Sequence, residues 1–126
     1  MAFEVLAGEL VGVDAPAALV ERVRQAVDDE IRHAELCLAR SGEGGLLHRP
    51  ARPRRHPRSR TVWLARLAVE SVLDGCVNEG AAAARLEAEA ATAAPELAAV
   101  LAAIAADERR HERLAWDIVD WCVAAG

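Results

Sequence analysis

The sequence has no lysine and no tyrosine. Its 126 residues include one phenylalanine, three tryptophans and one methionine, so aromatics make up only 3%. Sandwiches and barrels draw on β-branched and aromatic residues at regular spacing, so this poverty argues against an all-β architecture. Long apolar runs are missing too. The longest uncharged apolar stretch, Leu97 to Ala106, is 10 residues, well short of the ~18 needed to nominate a membrane-spanning helix. Cysteine is scarce and odd in number (Cys37, Cys76, Cys122), which speaks for reduced thiols and against a disulfide framework. The first residues carry Glu4 where a secretory signal would carry positive charge, so the expected location is cytoplasmic. The formal charge of −5 argues against a general nucleic-acid binder.

What the chain does have is alanine. Of its 67 apolar residues, 29 are Ala, a composition that suits close-packed helices. All 15 basic side chains are Arg, which reads as coding bias. Length gives a prior of a single domain over 1–126. Four helical segments are expected, at about 2–12, 16–40, 61–91 and 95–123. The first turn holds Asp14 as an expected N-cap and Pro16 at the start of the second helix. Ser41-Gly42 stops the second helix, and the run from Thr92 to Pro95 separates the third from the fourth. Between helices two and three, residues 41–60 hold three of the five prolines and six of the 15 arginines. At ~3.3 Å per residue this connection can span roughly 66 Å, more than the ~38 Å of helix two. Short turn, long crossover, short turn is the connectivity of bundles with one long crossover.

Two segments repeat a motif. Asp29-Glu30-Ile31-Arg32-His33 and Asp107-Glu108-Arg109-Arg110-His111 share D-E-x-R-H. Glu-x-x-His sets a carboxylate and an imidazole one turn apart on one helix face, able to bind a common metal ion. Each pair interrupts an apolar stripe: Leu19, Val23, Ala26, Glu30, His33 and Cys37 in helix two, and Leu97, Leu101, Ile104, Glu108, His111, Ala115, Ile118 and Cys122 in helix four. A carboxylate on such a stripe is costly unless it is paired or coordinates a metal. Reflection about the turn at 92–95 puts Glu79 of helix three level with Glu108. Glu79 shares a stripe with Ala65, Ala68, Val72, Cys76, Ala83 and Leu86, whereas Glu70 lies about 180° away and faces solvent. Reflecting Glu30 through the first turn puts its expected partner before Met1, and Glu4 and Glu9 lie too near the turn to replace it.

With these residues assembled, the chain resembles the ferritin-like di-iron carboxylate superfamily over about 16–123. The phrases DEIRHAELC, GCVNE and IAADERRHERLAW carry the resemblance. It implies an all-α, ferritin-like four-helix bundle with a shortened first helix and one long crossover between helices two and three. It implies Glu30, His33, Glu79, Glu108 and His111 as metal ligands, with Asp29 and Asp107 orienting the histidines. Iron or manganese is the expected cofactor, two ions if a fourth carboxylate is supplied. The half-length first helix would leave an apolar groove, and a homodimer through that groove is expected.

Several readings stand side by side. The Glu-His pairs could form a metal-free ion-pair network with Arg32 and Arg110, and Glu79 could be a surface charge. Asp29 and Asp107 could be plain i,i+3 partners of those arginines. Cys37 and Cys76 could line the site or pack as small hydrophobes. Gly75 and Gly80, unusual inside a helix, could permit close helix approach or a π-bulge. The Arg-rich loop 48–60 reads as an anion contact or as a linker. The functional expectation is a metal-binding protein, an iron- and O₂-dependent oxidase or oxygenase in the fullest reading. With no tyrosine, a tyrosyl radical is excluded. The rival is a metal-free helical interaction module that retains the ligands.

Overall fold

A computed structural model of the chain describes residues 3–42, 56 and 58–126. Among the described residues the regular structure is entirely helical, without a strand. No described helix is long and apolar enough to cross a membrane. The chain forms two compact units, Ala2–His56 and Pro57–Gly126.

The N-terminal unit pairs α1 (Phe3–Gly12) with α2 (Ala17–Ser41). Phe3, Leu6, Leu10 and Val13 are buried, spaced three or four apart, as are Leu19, Val20, Val23 and Ala26 on α2. Asp14 does not cap α2, contrary to expectation. It takes the left-handed conformation at φ 58 and ends α1 instead. Its N–H donates to the Val11 carbonyl (3.1 Å), and the Ala15 N–H donates to the Leu10 carbonyl (2.9 Å), the paired bonds of a Schellman motif. Asp is one of the few side chains that tolerate this conformation. α2 starts on Pro16 with no side-chain cap and ends, as expected, on left-handed Gly42 at φ 70.

The C-terminal unit is a long helical hairpin. α3 (Arg60–Glu70) runs into a π-helical segment (Ser71–Glu79) and then α4 (Gly80–Ala90). Both junctions keep right-handed helical torsions, so the backbone is continuous. α5 (Pro95–Ala125) packs back along all three. The Ser59 hydroxyl accepts from the Val62 N–H at 3.5 Å and starts α3. Arg60 donates to the Ala125 carbonyl at 2.9 Å, placing a cation at the negative end of α5. Of the Arg-rich loop, 48–55 and Pro57 lie outside the described residues, and Arg58 is exposed.

The π segment explains which residues are buried. Leu67, Ser71, Gly75, Glu79 and Ala83 are all buried, one every four positions. In a straight α-helix, 16 residues at 100° each end about 160° away from whole turns, so Leu67 and Ala83 would face nearly opposite ways. A π segment, whose N–H groups reach back five residues, has more than four residues per turn and keeps the row in line. The stripe expected from a uniform α-helical period is corrected accordingly. Ala65 is exposed, and Ala68 and Val72 are only half-buried. On α5, which is regular throughout, Ile104, Glu108, His111, Ala115, Ile118 and Cys122 are buried as expected. Leu97, next to the turn that joins the two arms of the hairpin, is exposed.

Candidate metal centre

Each D-E-x-R-H copy adopts the same local geometry. On α2 the His33 Nδ1 lies 3.7 Å from Glu30 Oε1. On α5 the His111 Nδ1 lies 3.6 Å from Glu108 Oε2. These separations are too long for hydrogen bonds. They are close to the ~3.4 Å edge between neighbouring ligands each about 2.1 Å from one ion in a tetrahedral site. One residue ahead of each carboxylate, the aspartate is held by the arginine one turn on: Arg32 donates to Asp29 at 2.7 Å, and Arg110 pairs with Asp107. The two motifs are therefore alike in structure as well as in sequence.

The C-terminal unit brings three of the expected ligands together. Glu79, Glu108 and His111 each offer one ligand atom, and these atoms lie within 4.8 Å of one another. All three residues are buried: Glu79 is 8% exposed, Glu108 7% and His111 2%. Reflection about the hairpin turn requires Glu79 to stand level with Glu108, and the geometry agrees. Glu79 is the last residue of the π segment, so the segment's winding sets the face it presents. Glu70, as expected, lies off the buried row, 3.9 Å from Arg66. In the N-terminal unit His33 is buried, but the Glu30 side chain is 46% exposed. Cys37, expected on the same stripe, is exposed. Beyond Ala26 only His33 of α2 is buried, so the stripe does not extend to Cys37.

Two side chains near the site, Ser71 and Glu112, carry no mark in the sequence. The Ser71 hydroxyl, on the row that leads to Glu79, is buried with no hydrogen-bond partner among the described residues. Beside Glu79, Gly80 admits the Glu112 side chain: a Cβ on Gly80 would fall 2.8 Å from Glu112 Oε1. Glu112 Oε2 accepts from Arg109 at 2.9 Å, and Arg109 also grips Glu87 bidentately at 2.9 and 2.8 Å. Hydrogen bonding from Arg109 pulls the Glu87 carboxyl below its usual range. This brace ties α4 to α5 next to the candidate ligands. The glycine was visible in the sequence, but its partner, 32 residues on, was not. Gly80→Ala gains about 0.8–1 kcal/mol of helix propensity and displaces Glu112 from Arg109. Its effect is therefore expected to be near zero in the parent chain. In a Glu112→Ala background it is expected to stabilise by nearly the full propensity gain, as read from urea midpoints.

The thiols divide by environment. Cys76 and Cys122 are buried and Cys37 is exposed. Burial, aided by the Glu112 charge, raises the Cys76 thiol above its ordinary value. Burial pushes Cys122 up to about 11, with Arg60 acting in the opposite direction. At mildly alkaline pH, iodoacetamide should modify Cys37 alone in the folded chain and all three thiols in denaturant. For Cys122 the unfolded chain loses its proton at 9.0 and the folded chain at about 11. This contribution to stability is intact below pH 9 and is lost as the pH rises toward 11. Cys122→Ala should flatten that alkaline decline in a melting series.

Comparison of the chain with family models, curated proteins and solved structures gave no match.

Proposed function

We propose that this is a metal-binding helical protein of ferritin-like, four-helix architecture. In this reading Glu79, Glu108 and His111 hold a transition-metal ion, and Glu30 and His33 supply the second Glu-x-x-His pair. The observation that carries the reading is the convergence of two buried carboxylates and a buried imidazole within 4.8 Å. Burying two carboxylates close together is costly, and a divalent ion bound between them offsets that cost. The donors fit: carboxylate and imidazole oxygen–nitrogen sets suit iron or manganese, and no thiolate belongs to the group. A π segment ending on one of the carboxylates adds support, because such segments recur at functional sites.

Bound iron or manganese would supply redox exchange with O₂, which makes an oxidoreductase the fullest form of the proposal. The chain's own residues would bind and orient the ion and keep bulk water from it. His111, 2% exposed, is itself shielded from solvent. Asp107 and Arg110, paired one turn apart, fix the helix turn that carries Glu108 and His111. Three free cysteines suit a reducing, cytoplasmic setting. The test is anaerobic addition of Fe(II), then of Mn(II), to the full chain, followed by desalting and elemental analysis. Retained metal that is lost in the His111→Ala variant supports the proposal. A chain that retains none is the metal-free interaction module instead.

A further inference from the structure

The helix that carries Glu79 has a second ordered row, on its outer side. Val62, Val69, Leu73 and Val77 are 58%, 58%, 57% and 56% exposed. Val62 and Val69 are two α-helical turns apart. Val69, Leu73 and Val77 follow at four-residue steps, which the wide turns of the π segment keep in line. The winding that straightens the buried row thus straightens this one too, about half a turn round the helix from Leu67, Ser71, Gly75 and Glu79. The result is an apolar seam about 20 Å long. Scattered exposed apolar residues are ordinary, but a continuous row of them marks an interaction surface.

The charges beside the seam indicate what covers it. Arg66 lies in the row between Val62 and Val69, and Glu70 and Asp74 follow it at four-residue steps, so the edge runs from basic to acidic along the helix. A second copy of the same helix, laid antiparallel about a two-fold axis near positions 70 and 71, meets this edge with its own reversed. Val69 of each copy then stands level with Leu73 of the other, and Arg66 of each comes within a turn of the other's Asp74. A parallel arrangement would set Arg66, Glu70 and Asp74 each against its own copy, whereas the antiparallel one opposes only Glu70 to Glu70, near the axis, and pairs Arg66 with Asp74 twice. The charges beside the seam therefore favour the antiparallel sense, with two attractive pairs against one like-charge contact, and that sense fits a two-fold symmetric interface.

We propose that the chain self-associates through this seam as an antiparallel dimer, with α3 and the π segment of two copies side by side and Arg66–Asp74 pairs at both ends. Four apolar side chains per copy put the contact among weak, transient interfaces rather than the standard-size ones, so the dimer is concentration-dependent. The surface uses none of the candidate ligands, so its test is run on the metal-free chain with chelator present and stands apart from the metal proposal.

Sedimentation equilibrium over a range from sub-micromolar to tens of micromolar should show a monomer passing to a dimer. Leu73→Glu should abolish the dimer without altering the helical circular dichroism, because Leu73 is exposed. Arg66→Glu should weaken association at least tenfold. Arg66→Glu combined with Asp74→Arg, which restores the pairing with its sign exchanged, should recover it. A chain monomeric throughout the range overturns the proposal. So does a dimer indifferent to Leu73→Glu, or a double exchange that fails to rescue Arg66→Glu.

Discussion

Glu108→Gln should leave the metal-free protein at least as stable as the parent and cut metal affinity by well over tenfold. Glu108 is 7% exposed, 3.6 Å from His111 Nδ1, with a ligand atom within 4.8 Å of one on Glu79. In the metal-free chain two buried carboxylates so close repel each other, and each carries a desolvation cost. A glutamine keeps the shape and removes the charge. Removing one partner of a purely structural buried ion pair does the opposite, destabilising by about 3–5 kcal/mol. The sign of the change in the metal-free protein therefore separates the two roles. The loaded protein adds a second readout. At a free metal concentration about 100 times Kd the parent gains roughly 2.7 kcal/mol, or about 10 °C in melting temperature for a chain of this size. Glu108→Gln should lose that increment.

Leu67→Ala should destabilise the protein by about 3 kcal/mol, and Ile118→Ala by a similar amount. Both side chains are 0% exposed, on facing helices of the C-terminal hairpin, and deleting a buried branched side chain costs about 2–5 kcal/mol in lost transfer energy and residual cavity. Val69→Ala, two residues from Leu67 but 58% exposed, should change stability by no more than about 0.5 kcal/mol. Urea unfolding of the three variants checks the contrast, with slopes unchanged. If Leu67 and Val69 prove equally costly, the assignment of a buried row wound by the π segment fails.

Helix ends were largely legible because each is marked by local chemistry. Gly42 stops α2, Pro95 starts α5, and the turn around Thr92 is set by backbone bonds to Glu89. The all-helical class followed from alanine content and period. The repeated D-E-x-R-H was legible because i,i+3 spacing on a regular helix needs no tertiary information, and α5 is regular over both residues of its copy. Asp14 was misread because a short polar residue before a proline suits either an N-cap or a left-handed C-cap, and the backbone of the preceding helix chose the latter. The π segment was hinted at by Gly75 and Gly80 but not bounded, since two members of its buried row, Ser71 and Gly75, carry no hydrophobic signal. The exposure of Glu30 and Cys37 lay beyond sequence reasoning for a related reason: past Ala26 the stripe has no bulky aliphatic member, and of its last three positions only His33 is buried.

The most direct test is calorimetric titration of the full-length, chelator-stripped protein with Fe(II) under anaerobic conditions, with stoichiometry confirmed by elemental analysis. Saturable binding that weakens sharply in Glu79→Gln, Glu108→Gln and His111→Ala, and stays unchanged in Glu70→Gln, is the predicted result. No saturable heat and no retained metal, or binding that all four variants preserve, would contradict a metal centre built on Glu79, Glu108 and His111.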